Sequence, residues 1–120
     1  MEDKERDESF KNWLFYGKGL AHLRNFLIYD VKLSEGQAKA MIECFKGHSV
    51  TKVAVELNIM FNTANSILHI AHKKFEKFFK EHKLGVYNKP RSLNAFLIIP
   101  WERLIDKYLM DGMPNHTEQD

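Results

Sequence analysis

The sequence has little of what marks several large classes of protein. Its 120 residues include one cysteine, Cys44, so an internal disulfide framework is excluded. No apolar run approaches the ~18 residues that a membrane-spanning helix needs. The chain begins MEDKERDE, which is acidic where a secretory signal is basic and then apolar. We therefore expect a cytoplasmic protein without a membrane partner.

Recognisable sites for catalysis or for small ligands are also missing from the sequence. No nucleophile stands in a known catalytic motif, and no glycine-rich loop offers a phosphate cradle. His69 and His72 are three residues apart, but no Cys, Asp or Glu joins them at the spacing of a metal site. Cys44 lies between Met41 and Phe45 on the apolar side of a predicted helix, which favours packing over redox chemistry. We expect no enzyme activity, cofactor, metal or small-molecule ligand.

What the sequence does contain is a large apolar fraction and an uneven charge. Hydrophobic residues make up 44% of the chain, with nine Phe and two Trp, which is enough for the core of one domain. Residues 1–8 hold five acids and two bases, and we expect them to form a flexible acidic arm. Residues 71–91 hold seven Lys or Arg against Glu76 and Glu81, a net charge of +5. Such a cluster is either a solvated helix face or a surface that neutralises phosphates.

The first half of the chain shows the apolar spacing and start signals of helices. In the segment 9–33, apolar residues from Phe10 to Ile28 predict two helices, or one helix broken at its glycines. Ser34, with Gln37 three residues later, predicts a reciprocal capping box that starts the next helix. Gly47 follows the apolar face of that helix and is expected to take a left-handed conformation.

The segment from Ser49 onward has the offsets of a helix-turn-helix. Ser49 is expected to cap a short helix in which Ala54 permits a close helix crossing. Asn58 stands at the turn position usually held by glycine, and asparagine tolerates the left-handed region. Ala64 and Ile67 are apolar anchors on the second helix. A helical hairpin that does not read DNA would need the same apolar offsets, so both interpretations remain open.

The second helix of this unit presents the residues that we expect to contact DNA. Asn65 is suited to a bidentate contact with adenine and Phe61 to a contact with a thymine methyl, which favours A·T pairs. Exposed asparagines are also ordinary residues at helix starts. The expected base-reading residues are Phe61, Asn62, Asn65, Ser66 and His69, with His72 and Lys73 as alternatives further along. The expected phosphate contacts are Ser49, Thr51, Lys52, Thr63, Lys73, Lys74 and Lys77, with Lys80 and Lys83 beyond them.

The C-terminal third predicts a contact between copies of the chain. One apolar stripe runs from Asn62 to about His82, so the helix-turn-helix unit spans 34–83. LNAFLII, residues 93–99, reads as a strand that needs a partner, either a second copy or Val31 to Leu33 of the same chain. Pro100 then starts a helix predicted over 101–110. The dimerisation element is 90–112, followed by a disordered tail at 113–120. Its interface residues are Leu93, Phe96, Ile98, Trp101, Leu104, Ile105 and Tyr108.

Two families of bacterial regulators resemble parts of this sequence. The run AMIECFKGHSVTKVAVELNIMFNTANSIL and the preceding HLRNFLI are similar to the PapB group of fimbrial-operon regulators, over about half of the chain. The pattern from LSEGQ to LNAFLIIPWERLIDKYL resembles the TrfB or KorA plasmid repressors, over about two thirds. The first resemblance implies oligomeric binding to A·T-rich DNA, and the second implies major-groove reading of a palindromic operator. KorA-like reading positions map to Asn65 and Ser66, whereas Phe61 departs from that pattern and leaves the base preference open.

The sequence thus predicts a mainly α fold, with a helix-turn-helix DNA-binding domain and a short C-terminal strand-helix dimerisation element. The expected function is transcriptional regulation, as a repressor or autoregulator. The expected partners are double-stranded operator DNA and a second copy or higher oligomer of the chain, with association to the nucleoid when bound. The alternative is a protein-interaction module that uses the Phe-rich helix and the C-terminal strand without binding DNA.

Overall fold

The regular structure of the protein is helical. The computed structural model describes residues 2–87, 99, 101–104 and 109, and no strand occurs among them. The elements are α1 (Glu2–Tyr16), α2 (Gly19–Asn25), a π-helical segment (Phe26–Asp30), α3 (Glu35–Phe45), α4 (Val50–Leu57), α5 (Phe61–Glu81) and α6 (Trp101–Leu104). The prediction of a mainly helical fold is confirmed.

The chain divides into two compact units, one made of residues 1–26 and 101–120 and the other of residues 27–100. The chain passes from the first unit to the second within the π-helical segment. This division differs from the predicted boundary after residue 33. The side chains of Leu27, Val31 and Leu33 are buried, and these residues belong to the second unit.

In the first unit, α1 and α2 are separated by a break at Gly17, which confirms two helices in this region. A Cβ atom at Gly19 would lie 2.6 Å from the Trp13 ring, so a glycine is needed for the indole to pack there. Phe10 contacts both Trp13 and Trp101, with ring centroids 6.0 Å and 5.8 Å apart. These aromatic contacts join α1, α2 and α6 into one unit.

The flexible arm predicted for residues 1–8 is replaced in the structure by helix, because α1 already begins at Glu2. The high charge of this segment suggested solvation, but Glu, Lys and Arg are also good helix formers. Helix propensity and the continuation into the apolar residues after Ser9 favour one helix of 15 residues.

In the second unit, α3 and α4 begin at serine caps, as predicted. The Ser34 hydroxyl accepts from the Gln37 backbone N–H (3.2 Å), and the Ser34 N–H donates to Gln37 Oε1 (3.0 Å), which completes the capping box. The Ser49 hydroxyl accepts from the Lys52 N–H (3.2 Å). Gly47 has φ 94°, the left-handed conformation expected after α3. Each serine satisfies an N–H that the helix itself leaves unbonded.

Most of the predicted C-terminal element lies outside the described residues. These include residues 93–98 of the predicted strand and the tail at 113–120, while Ile99 is a bend rather than a strand residue. Of the helix predicted over 101–110, α6 covers the first four residues. Leu104 was expected to meet a second copy, but its side chain is buried within the single chain at 1% exposure. It is therefore part of the chain's own core.

Candidate nucleic-acid interface

The turn between α4 and α5 fixes the direction of α5 relative to α4. Asn58 ends α4 with φ 56° and ψ 49°, the left-handed conformation predicted for it. The Ile59 N–H donates to the Ala54 carbonyl (3.0 Å), which closes the C-terminal end of α4. Ala54 and Ala64 are both buried, and their small side chains let the two helices approach closely. The helices are thus joined by a short turn of defined conformation.

Helix α5 is long and has two distinct faces. Its 21 residues span about 31 Å at 1.5 Å per residue. One face packs into the second unit. The buried residues of this face are Ala64, Leu68, Ala71, His72, Phe75, Phe78 and Phe79. Ile67, predicted as a buried anchor, is half-buried. The apolar stripe predicted from the sequence is therefore confirmed over the whole helix, and the opposite face remains open to solvent.

Every residue predicted to read bases is exposed in the N-terminal half of α5. Phe61, Asn62, Asn65, Ser66 and His69 are all exposed. Thr63, predicted to contact phosphate, is exposed in the same first turns. No Asp or Glu occurs in the sequence between Glu56 and Glu76, so this half of the helix carries no carboxylate. Its surface combines amide, hydroxyl, imidazole and aromatic groups without negative charge.

The C-terminal half of the open face is basic. Lys73 and Lys77 are exposed and four residues apart, so they lie one above the other on the helix. Lys80 follows on the same side, and these lysines line a shallow depression of about 270 Å³ together with Glu76. Three ammonium groups against one carboxylate give this depression a positive charge. The predicted phosphate contacts Lys73 and Lys77 therefore continue the face on which the predicted reading residues stand.

Lys74 occupies a different environment from the other predicted phosphate contacts. It is half-buried, and its Nζ donates to Gln37 Oε1 at 2.8 Å. The same oxygen accepts from the Ser34 N–H, so Lys74 supports the capping box of α3. Sequence reasoning missed this contact because the two residues are 37 positions apart. The observed contact of Lys74 therefore has a structural role, and Lys74 is less available to bind phosphate.

The phosphate contacts predicted around α4 are placed at its solvent-facing start. Ser49, Thr51 and Lys52 are exposed. The Ser49 hydroxyl is engaged as the cap of α4. Lys52 Nζ lies 3.9 Å from Glu56 Oε1, and both side chains are about half exposed, so this pair holds the ammonium only weakly. Lys52 and Thr51 therefore remain accessible to a phosphate.

His72, an alternative outward residue in the sequence interpretation, faces the core instead. Its side chain is 6% exposed, and its Nδ1 lies 2.6 Å from the Tyr87 hydroxyl. Burial raises the pKa of Tyr87, and the nearby Cys44 acts in the same direction, so the phenol stays protonated and is hydrogen-bonded to Nδ1. The helical spacing could have predicted the burial of His72, because this residue follows Leu68 by four residues and precedes Phe75 by three, inside the apolar stripe.

The burial of His72 also separates it from His69, which is exposed. Within the described part of the chain, no group of three or more His, Cys, Asp or Glu side chains is arranged to hold a metal. In the same residues, no helix combines the length and apolar character needed to cross a membrane.

Comparisons of the chain with protein-family models, with curated proteins and with solved structures find no match. The resemblances to the PapB and KorA groups therefore remain predictions from the sequence. The open face of α5, with its uncharged first half and basic second half, is the candidate binding surface among the described residues.

Proposed function

We propose that the protein is a DNA-binding transcriptional regulator that inserts the N-terminal half of α5 into the major groove of operator DNA. The observation that carries this proposal is the continuous open face of α5, in which Asn62, Asn65 and Ser66 precede Lys73 and Lys77. Asparagine side chains suit adenine edges, and lysines suit phosphates.

The length of α5 gives each half of this face a separate role. Asn62 and Lys80 are 18 positions apart on one helix, or about 27 Å. The major groove is only about 12 Å wide, so a straight helix with its first turns in the groove passes out across the sugar-phosphate backbone. The lysines of the second half then lie beside phosphates. The polar residues of the first half supply base preference, and the lysines supply affinity that is independent of sequence.

We further propose that the regulator binds as a homodimer or higher oligomer. Residues 34–70 hold three lysines and three glutamates, so one unit contributes little net charge beyond the lysines of the second half of α5. Two copies on a symmetric operator double the phosphate contacts. Repression of its own operon is the most direct use of such binding, and it is proposed here as the biological role.

Retention of random genomic fragments in an electrophoretic shift, repeated across salt concentrations, tests the proposal. Lys73→Ala and Lys77→Ala should each weaken binding to all fragments and lower the salt slope by about 1. Asn65→Ala should instead flatten the ranking among fragments, with a loss of about 1–3 kcal/mol on the preferred sequence. Lys18→Ala removes an exposed charge outside α5 and is the matched control.

Binding no tighter than that of any weakly basic protein would contradict the proposal. It would favour the alternative, a protein-interaction module. Equal behaviour of Asn65→Ala and Lys73→Ala on every fragment would contradict the division of roles along α5. For the oligomer, sedimentation of the full chain should give a dimer, and Phe96→Asp should give a monomer if the predicted interface is used. A dimer that persists in this variant would place the interface elsewhere.

A further inference from the structure

The tip of α5 exposes two large apolar side chains in succession. Met60 is 74% exposed and Phe61 is 51% exposed. Scattered apolar residues are common on protein surfaces, but here two are adjacent at the start of the helix that carries the proposed reading residues. Both belong to the second unit, at the turn whose conformation Asn58 fixes.

Met60 also holds a position where a polar residue would favour the fold. It is the N-cap residue of α5, with extended backbone (φ −72°, ψ 153°) and no side-chain hydrogen bond to the helix. The corresponding positions of α3 and α4 are Ser34 and Ser49, and both accept from a backbone N–H. A thioether cannot replace a hydroxyl acceptor in this role. The exposed methionine therefore stabilises neither the start of the helix nor its hydration. This is typical of a residue that contacts a binding partner.

The surroundings of this tip fit the major groove of DNA. No carboxylate follows until Glu76, so nothing on the first turns of α5 repels phosphates, and Lys73 and Lys77 are exposed further along the same helix. The edges of the bases in the major groove present hydrogen-bond donors and acceptors, with one apolar group among them, the 5-methyl group of thymine. A 5-methylcytosine presents the same methyl at the same ring position.

We propose that Met60 and Phe61 together form a reader of pyrimidine 5-methyl groups, which takes thymine or 5-methylcytosine in the major groove. This inference rests on the proposed function and deepens it, because it assigns the base preference to apolar contact rather than to the asparagines alone. It extends the ligand class from A·T-rich DNA to DNA methylated at cytosine.

The test compares duplexes of about 20 base pairs that differ only in pyrimidine methyl groups. One pair carries thymine or uracil within an A·T-rich centre, and a second pair carries cytosine or 5-methylcytosine. Removing each contacted methyl should weaken binding about threefold to fourfold, and adding one to cytosine should strengthen binding by the same factor. Affinities are measured by fluorescence anisotropy of the labelled duplex with the full-length protein.

Two variants locate the effect on the tip. Met60→Ser supplies a hydroxyl cap to α5, so it should raise the melting temperature while it reduces the ratio of thymine to uracil affinity. Phe61→Ala should reduce the same ratio. Lys73→Ala is the control, since it should weaken binding to both duplexes equally and leave the ratio unchanged.

The outcomes separate this inference from the function on which it rests. Binding to DNA with equal affinity for the thymine and uracil duplexes overturns the methyl reader and leaves the proposed function standing. A methyl effect that persists unchanged in Met60→Ser and Phe61→Ala overturns its assignment to the tip. Failure to bind any duplex removes both proposals.

Discussion

Replacing Tyr87 by phenylalanine removes one buried hydroxyl and keeps the aromatic ring that packs on α5. The ring lies 5.5 Å from that of Phe75 and 5.1 Å from that of Phe79, centroid to centroid. Those contacts survive the change because the ring is the same size. The lost group is the hydroxyl that is hydrogen-bonded to His72 Nδ1 over 2.6 Å.

The cost follows from the burial of both partners. Tyr87 is 4% exposed and His72 is 6% exposed, so water does not readily replace the missing hydroxyl. Loss of one hydrogen bond by a buried polar group costs about 1–3 kcal/mol, and we expect a loss of about 2 kcal/mol in the free energy of unfolding. That is a large fraction of the 5–15 kcal/mol typical of a domain.

Urea unfolding followed by circular dichroism measures this loss. With a slope of about 2 kcal/mol per molar urea, the midpoint should fall by about 1 M. Tyr29→Phe is the matched control, because Tyr29 is 67% exposed and water can solvate its hydroxyl. Its midpoint should stay within the error of the wild type. If Tyr87→Phe is as stable as Tyr29→Phe, the buried hydrogen bond between Tyr87 and His72 does not stabilise the fold.

The same tyrosine predicts an alkaline limit to stability. Burial raises its pKa in the folded chain above the unfolded value of about 10. Below pH 10 the phenol is protonated in both states and its contribution is fully present. Above pH 10 the unfolded chain releases the proton first, so the free energy of unfolding falls by up to about 1.4 kcal/mol per pH unit. Tyr87→Phe should show a shallower decline between pH 10 and 11.5, and identical slopes would contradict this assignment.

The remaining predictions concern backbone positions. Gly19→Ala should destabilise the protein by about 1–3 kcal/mol, because its Cβ would overlap the Trp13 ring, as thermal unfolding would show. Gly36→Ala is its counterpart on α3, where a Cβ meets no atom within 4 Å, and should stabilise by up to about 1 kcal/mol. Asn58→Ala should cost about 1 kcal/mol at φ 56°, whereas Asn58→Gly should be nearly neutral by the same measurement. Equal effects within either pair would contradict the backbone argument.

Local chemistry explains which parts of the fold could be predicted from the sequence. Ser34 with Gln37, Ser49, Gly47 and Asn58 act on backbone groups within a few residues, so their roles are visible in the sequence itself. The buried stripe of α5 follows from helical spacing for the same reason.

The missed features depend on residues that are distant in the chain. Lys74 is fixed by Gln37, 37 positions away, and His72 is bonded to Tyr87, 15 positions away. Neither pairing follows from helical periodicity, although the burial of His72 does. The exposure of Met60 was also not predicted, because an apolar residue just before a helix is expected to be buried unless its surroundings are known. At the candidate site, the polar residues predicted to face outward on the first half of α5 are exposed, but the sequence did not predict the division between accessible and engaged lysines.

The single helix α5 links the aromatic core to the tip as one rod. His72 lies 11 residues from Phe61, or about 16 Å along the axis. A tilt of about 5° about the buried His72 would therefore move the tip by about 1.4 Å, which exceeds the range of about 0.5 Å over which hydrogen-bond distances vary. The packing of Phe75, Phe79 and Tyr87 around His72 thus determines the direction in which the exposed end of α5 points. Substitutions in this core can therefore alter the affinity for a ligand by tilting α5, even though the substituted residues do not contact the ligand.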